Sequence, residues 1–132
     1  MEIREYTYEA AEMLRLYTAV GWTAYTAHMD VLEQGFRHSL LVLAAYEGDA
    51  LLGVIRVVGD GYTIVFIQDI LVYPEKQRQG VGTALLKAVL QRYSNVRQIE
   101  LATDDTPKTV AFYKSLGFSP LSASGGCAFM KD

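Results

Sequence analysis

The sequence has little cysteine, little proline and no long hydrophobic run. Cys127 is the single cysteine, which excludes an internal disulfide and a cysteine-rich zinc site. The longest unbroken apolar stretch, residues 40–46, is far too short to span a bilayer, and no stretch has the pattern of a secretory signal. These absences predict a reduced, cytoplasmic protein with no membrane partner. The length of 132 residues predicts one domain over residues 1–132.

Positive charge is scarce overall but concentrated in one segment. The formal net charge is −3, so no nucleic-acid partner is expected. Residues 75–97 hold five cations against a single anion and so carry +4, which leaves −7 for the other residues. A basic segment in an acidic protein fits a small anionic ligand, and a solvated basic helix face is the alternative interpretation.

Hydrophobic periodicity predicts short helices and strands in alternation. In chain order these are a strand at 2–7, a helix that ends at Gly21, a helix at 31–38, three meander strands at 40–46, 51–58 and 62–73, a helix from 81 to about 93, a strand at 98–103, a helix capped by Thr106, and closing strands at 118–121 and 127–130. Thr7 and Asp30 are the expected N-caps of the first two helices. Cys127 is expected to be buried. The order predicts a mixed α/β (α+β) fold, in which helices flank a central, twisted, mostly antiparallel sheet.

The junction between the third meander strand and the following helix carries two glycines two residues apart. Gly80 and Gly82 let the backbone turn tightly and approach a ligand, and the free N–H groups of a helix start prefer an anion. The junction is therefore typical of a phosphate-binding turn, although a plain helix start fits the same residues. Its spacing matches neither a P-loop nor the G-x-G-x-x-G fingerprint, since Leu85 stands at the third glycine.

Two segments together resemble the GNAT superfamily of N-acetyltransferases. QRQGVG at residues 77–82 is similar to the family signature Q/R-x-x-G-x-G/A, and AFYKSLGF at residues 111–118 is similar to its later aromatic-Tyr pair followed by Gly-Phe. The resemblance is good over residues 40–132. The first 39 residues match only the family's variable two-helix lead-in. The resemblance implies the GNAT fold for the domain.

The resemblance also implies acetyl-CoA as co-substrate, with no metal. The pyrophosphate would lie on backbone N–H groups of the glycine turn, and the pantetheine beside the end of the third meander strand. Freed N–H groups there would stabilise the tetrahedral oxyanion. Thr106 stands where many relatives carry an asparagine, and it is also a helix cap. The implied cofactor-binding residues are Ile70, Leu71, Val72, Arg78, Gln79, Gly80, Val81, Gly82, Thr83 and Thr106.

Tyr113 is the residue that the resemblance implies as the acid for the departing CoA thiolate, the alternative being packing on an amphipathic helix. Asp69 is the nearest carboxylate to the reacting strand and the first candidate for the base that takes the amine proton, directly or through water. Phe66 and Leu101 stand where many relatives carry a glutamate, so the base stays open. Further candidates are Glu100, Asp104 and Asp105, each of which is otherwise an ordinary surface carboxylate or cap.

The acceptor groove implied by the resemblance involves Trp22 and Tyr25, with packing as the alternative. The acceptor would be a small-molecule or peptide amine that attacks directly in a ternary complex, and the acidic surroundings favour a cationic one. His28 and His38 lack metal-ligand spacing, so no metal is expected. A non-catalytic acyl-CoA-binding or regulatory module and transfer of a larger acyl group both stay open. A homodimer stays open as well.

Overall fold

The computed structural model describes all 132 residues. Its elements in chain order are β1 (Glu2–Glu5), α1 (Ala10–Ala19), α2 (Thr23–Thr26), α3 (Met29–Arg37), β2 (Leu41–Glu47), β3 (Ala50–Gly59), β4 (Ile64–Val72), α4 (Val81–Arg92), β5 (Gln98–Leu101) and α5 (Pro107–Ser115), with 3-10 turns at Pro74–Lys76 and Leu121–Ser124. The residues form two compact units, Met1–Ala102 and Thr103–Asp132.

The first unit is built on a five-stranded sheet in the order β1-β2-β3-β4-β5. The pairs from β1 to β4 are antiparallel, and β5 is parallel to β4. The parallel pair follows from the β4-α4-β5 crossover, since a helix is the usual connection between parallel strands. The predicted mixed fold class, with a mostly antiparallel sheet flanked by helices, is confirmed.

Helices cover the sheet of the first unit. Met13 and Leu16 of α1 and Phe36 of α3 are buried in one cluster with Val54 and Leu71 of the sheet. Because side chains alternate along a strand, the residues next to Val54 and Leu71 point to the opposite face. The helix α4 packs against β1 to β4 through a buried stripe. That stripe consists of Val81, Leu85, Leu86 and Val89.

Two N-terminal helix starts differ from the sequence prediction. The cap of α1 is Glu9 rather than Thr7, and its carboxylate accepts from the backbone N–H groups of Ala11 at 3.3 Å and Glu12 at 2.7 Å. A carboxylate is favoured there because it also faces the positive end of the helix dipole. The helix α3 begins at Met29, so Asp30 lies within its first turn and is not a cap. A single turn such as α2 has no periodicity to detect.

The second unit contains α5 and a C-terminal segment without strands. The start of α5 is as predicted: the Thr106 hydroxyl accepts from the Thr109 N–H at 3.3 Å, and Pro107 follows. The predicted strands at 118–121 and 127–130 are wrong, since a 3-10 turn and irregular chain replace them. Pro120 has no N–H to give to a ladder, and a short apolar run forms a strand only when another strand pairs with it. Cys127 is exposed, so its predicted burial is also wrong.

Asp60 organises the turn between β3 and β4. One carboxylate oxygen accepts from the backbone N–H groups of Tyr62 and Thr63, both at 2.8 Å, and the other accepts from the Thr63 hydroxyl at 2.6 Å. The hydrogen bonds from the Thr63 side chain and from backbone N–H groups hold the pKa of Asp60 below its ordinary value. Asp60 therefore stabilises the fold when it is ionised.

We expect Asp60→Ala to lower the Tm at pH 7. Because the folded-state pKa of Asp60 is depressed, its contribution is complete above the unfolded value of about 3.9 and is lost as the pH falls below that value. The Tm difference from the wild type should therefore stay constant above about pH 5 and narrow progressively as the pH falls from about 4 to about 2. Circular dichroism melts over this range measure it, with Asp49→Ala in the β2–β3 turn as the matched control. Equal Tm values at pH 7 would refute the assigned role of the turn.

Candidate active site

The strand β4 is paired along both edges only over its first half. The strand β3 pairs with it as far as Val72, whereas β5 pairs with residues 64–67 alone. The strand β5 ends at Leu101. Residues 68–72 consequently have no strand partner on that side, and their backbone groups there are open to another partner. We call this stretch the open edge.

A β-bulge at Gln68 coincides with the start of the open edge. Arg56 pairs with Asp69, but the next residue, Val57, pairs with Ile67, which leaves Gln68 as the extra residue. A bulge bends and twists its strand, and this one lies directly after the last residue of β4 that pairs with β5. The Gln68 side chain is exposed, and its amide donates to the Tyr25 hydroxyl at 3.3 Å.

Backbone groups of Ile70 and Val72 face the open edge. The Tyr73 N–H donates to the Leu52 carbonyl at 3.0 Å, so alternation along the strand directs Leu71 toward β3 and its neighbours away from it. The Val72 carbonyl accepts from the Gln77 side chain at 3.1 Å. Of the three predicted pantetheine residues, Ile70 and Val72 therefore present backbone groups at the edge, while Leu71 is 2% exposed and serves the core.

The helix α4 begins without a side-chain cap. Gly80 occupies the N-cap position with φ +85°, and no side chain bonds the first turn. The Ala84 N–H donates to the Gly80 carbonyl at 3.0 Å, so the N–H groups of residues 81–83 precede the helix's own bonding pattern. Glycine is required at position 80 because other residues rarely adopt this φ. Space is not the reason, since an added β-carbon would have no atom within 4 Å. Free amides and the helix dipole together suit an anion.

The connection between the open edge and α4 is short and internally bonded. The Lys76 N–H donates to the Tyr73 carbonyl at 2.8 Å, and the Gln79 amide donates to the Glu75 carbonyl at 3.2 Å. Arg78, beside Gln79, has φ +65° and is the one non-glycine residue of the chain with positive φ. Such a backbone outlier is typical of functional loops. The structure thus brings together the predicted residues 70–72 and 78–83 within the first unit.

Asp69 lies in a buried ion pair, not at the surface. The residue is 1% exposed, and Oδ2 accepts from Arg56 Nε and from the Tyr17 hydroxyl, each at 2.8 Å. Its Oδ1 is buried and has no hydrogen-bond partner. Burial, reinforced by Asp69, raises the pKa of Tyr17, so this phenol is a permanent donor. A carboxylate enclosed in this way is poorly placed to take a proton from a bound amine.

The other candidate carboxylates lie elsewhere. Glu100 on β5 pairs in register with Phe66, two residues before the bulge. It is half-buried, and no hydrogen bond or ion pair engages its carboxylate. Asp104 and Asp105 are exposed residues of the second unit. Glu100 is therefore the unengaged carboxylate on the two strands that diverge at the bulge.

Trp22 and Tyr25 form an aromatic cluster with Tyr17. The rings of Trp22 and Tyr25 are stacked with centroids 6.1 Å apart, and the Tyr25 ring lies edge-on to Tyr17 at 5.4 Å. Trp22 remains 38% exposed. Through the contact between Tyr25 and Gln68, both predicted acceptor residues are connected to the bulge.

Two residues of this region were not identified from the sequence. Tyr17 lies on the apolar stripe of α1, where an aromatic residue indicates only packing. Arg56 carried a detectable signal, because a single cation inside the apolar strand β3 needs a buried partner. The sequence pattern does not identify Asp69 as the ion-pair partner, because Asp69 is 13 residues away.

Tyr113 lies half-buried on α5 in the second unit. Its ring is edge-on to Phe112 at 5.0 Å and to Phe118 at 5.9 Å. Burial raises the pKa of the phenol, and the Thr103 side chain partly offsets the rise. The hydroxyl therefore carries its proton at neutral pH. Thr106 in the same unit is engaged as the cap of α5.

No group of three His, Cys, Asp or Glu side chains could hold a metal ion in this chain. None of its helices combines the length and apolar character that a membrane crossing requires.

Known proteins similar to this chain include acetyltransferases. The family model for the acetyltransferase (GNAT) domain matches residues 3–127. An uncharacterised N-acetyltransferase of Prochlorococcus marinus is 26% identical over 129 residues, which are 93% of this chain and 69% of that protein. A Gracilaria tenuistipitata relative, also an uncharacterised N-acetyltransferase, is 36% identical over 70 residues, 52% of this chain and 37% of its own length.

Solved structures extend the comparison to the whole chain. A GNAT-family acetyltransferase from Streptococcus pneumoniae superposes with a TM-score of 0.90 at 41% identity, covering 99% of this chain and 96% of its own. A probable acetyltransferase of unknown function from Staphylococcus aureus superposes with a TM-score of 0.80 at 23% identity, covering 99% and 98%. The second likeness concerns the fold alone.

Proposed function

The chain belongs to the GNAT family of acetyltransferases, and on this premise we propose that it transfers the acetyl group of acetyl-CoA to a primary amine of a small molecule or peptide. The observation that carries the proposal is the open edge of β4 followed directly by the uncapped start of α4. An extended thioester arm needs backbone partners along a strand, and its pyrophosphate needs free amides beyond the end of that strand.

In this proposal each part of the donor has a place in the first unit. The pyrophosphate lies on the N–H groups of residues 81–83, with Arg78 and Gln79 in the turn that leads to them. The pantetheine arm runs along the open edge. The thioester carbonyl accepts a hydrogen bond from the Ile70 N–H. This hydrogen bond becomes stronger as negative charge develops on the carbonyl oxygen, so it stabilises the transition state more than the bound substrate.

The proposed chemical step is direct attack by the amine. The amine nitrogen bonds to the carbonyl carbon, the tetrahedral intermediate collapses, and the carbon–sulfur bond breaks. The acceptor, an ammonium at neutral pH, loses one proton before attack and a second from the nitrogen of the tetrahedral intermediate, while the thiolate gains one proton and the other passes to solvent. We assign protonation of the thiolate to the Tyr113 hydroxyl, whose raised pKa keeps it protonated.

An acceptor amine has an ordinary pKa of about 10.4, so it is protonated at neutral pH and cannot attack in that form. Removing this first proton costs about 4–5 kcal/mol at pH 7. A nearby carboxylate lowers this barrier by accepting the proton directly or through water. We propose Glu100 instead of Asp69 as the group that accepts this proton. The Glu100 carboxylate has no other partner, whereas Asp69 is enclosed by Arg56 and Tyr17.

Thiol release from acetyl-CoA across a panel of amines tests the proposal. We expect release with at least one cationic amine, and loss of donor binding by about tenfold or more in Gly82→Leu, because a branched side chain would crowd the free amides. Gly82→Ala is the matched control, since alanine also suits a helix. The two affinities are measured by calorimetry with CoA.

Three results would redirect the proposal. Tight CoA binding without release on any amine would favour a binding module. Release from a longer acyl-CoA but not from acetyl-CoA would change the donor. Unaltered CoA binding in Gly82→Leu would move the pyrophosphate away from α4.

A further inference from the structure

We infer that Asp69 is a positioning residue that, with Arg56 and Tyr17, locks the β4 bulge and thereby directs the Ile70 N–H toward the thioester carbonyl. This inference rests on the proposed acetyl transfer and deepens it, because it separates Asp69 from proton transfer. We call the three side chains the bulge lock.

The bulge lock acts at the point where the register changes. Arg56 and Asp69 are the last cross-strand pair before the shift, and the next pair is Val57 with Ile67. The bond from Arg56 Nε to Asp69 Oδ2 at 2.8 Å joins these two residues across the strands. Since a one-residue slip would turn Asp69 to the other face of the sheet, the ion pair opposes any migration of the bulge.

The lock is also anchored to the helices. Tyr17 of α1 is fully buried and donates to the same carboxylate oxygen as Arg56. The Arg56 guanidinium lies over the Phe36 ring with its carbon 5.3 Å from the centroid, and its Nη1 donates to the Ser39 hydroxyl at 3.3 Å. A β-carbon on Gly35 would come within 3.2 Å of that nitrogen. The cation therefore has little freedom to move.

Stability alone does not account for this arrangement. A buried ion pair is a weak stabiliser compared with packed apolar residues, and its best-attested use is to specify register. Asp69 Oδ1 is buried without a partner, which adds a further penalty. A role in fixing the position of β4 would explain why the chain keeps a buried ion pair that stabilises the fold so little.

The bulge lock acts on catalysis through the peptide group that joins Asp69 to Ile70. The Asp69 carbonyl and the Ile70 N–H belong to the same planar peptide unit and point in opposite directions. Alternation places the carbonyl toward β3 and the N–H toward the open edge. The bulge lock holds Asp69, and so sets the direction of the Ile70 N–H.

Isotope-edited infrared spectra of acetyl-CoA labelled with ¹³C at the thioester carbonyl test the inference without an acceptor amine. The wild type should lower the carbonyl stretching frequency of the bound donor relative to the free donor. In Asp69→Asn we expect this shift to shrink by about half or more and kcat to fall about 10- to 100-fold, since a misaligned oxyanion donor is largely lost. The Kd for acetyl-CoA should change by less than about threefold, because most of the donor's contacts lie elsewhere.

Tyr17→Phe should act in the same direction but more weakly, and it keeps the inference testable if Asp69→Asn does not fold. Tyr6→Phe is the matched control, because it removes a tyrosine–carboxylate hydrogen bond, to Glu12 at 2.7 Å, that is not part of the lock. The control should retain both the carbonyl shift and kcat.

The inference is overturned if folded Asp69→Asn keeps the wild-type carbonyl shift and kcat. It is equally overturned if Asp69→Asn abolishes the acidic limb of the kcat/KM profile and loses activity only with amines of high pKa, because Asp69 would then be the base. A wild type that binds no acetyl-CoA refutes the proposed function itself, which is a different result from either of these.

Discussion

Tyr113→Phe is expected to lower kcat about 100-fold while the Kd for CoA changes by less than about threefold, the range for loss of a general acid. The substitution removes one oxygen and keeps the ring that packs against Phe112 and Phe118, so the fold should persist. Steady-state CoA release and calorimetry measure the two quantities. Burial raises the pKa of Tyr113, so the acid should not titrate between pH 7 and pH 9.

Tyr93→Phe provides the control for this experiment. Tyr93 is another half-buried tyrosine whose pKa is raised by burial, and it has no assigned role in the site. Its replacement should leave kcat unchanged. If Tyr113→Phe retained full activity with the best amine, the tyrosine would be a packing residue and the thiolate would take its proton from water.

Arg56→Met is expected to lower the free energy of unfolding by about 3–5 kcal/mol, because it leaves the Asp69 carboxylate buried without its cation. Burial lowers and Asp69 raises the pKa of Arg56, with a net rise, so the guanidinium is charged at pH 7. A loss of this size is a large part of the roughly 5–15 kcal/mol that stabilises an ordinary domain. Urea denaturation at pH 7 measures it.

The double variant Arg56→Met/Asp69→Leu separates the ion pair from the packing. Removing both charges eliminates the unpaired carboxylate, so most of the lost stability should return. The double variant should nevertheless remain impaired in acetyl transfer, since nothing then holds the bulge. Arg56→Met within about 1 kcal/mol of the wild type would mean that solvent reaches Asp69, contrary to its exposure of 1%.

Several elements were predictable because they depend on neighbours along the chain. The left-handed Gly80 before α4 and the Thr106–Pro107 start of α5 reflect capping and steric preferences that act over three or four residues. The meander followed from apolar runs separated by tight turns. The segments proposed to bind the donor could be singled out because the glycine turn and the motifs that carry the family resemblance are each contiguous in sequence.

The errors and omissions share the opposite property. The closing strands were expected from short apolar runs, yet a strand depends on a partner that such runs do not specify. Asp69 could be singled out from its place beside the reacting strand, but its burial and its partners could not, because they come from Tyr17, 52 residues away, and Arg56, 13 residues away. The bulge at Gln68 likewise exists only as a mismatch between two paired strands.

Turn, cap and strand preferences along the chain were thus enough to identify the fold class, and the family resemblance of two contiguous motifs implied the segments proposed to hold the donor. Which carboxylate is buried, and where β4 loses its partner, was settled by packing, because burial and register arise only when distant residues meet. For this protein the proposed chemistry depends on both, since the open edge of β4 is a local strand exposed by a long-range change of register.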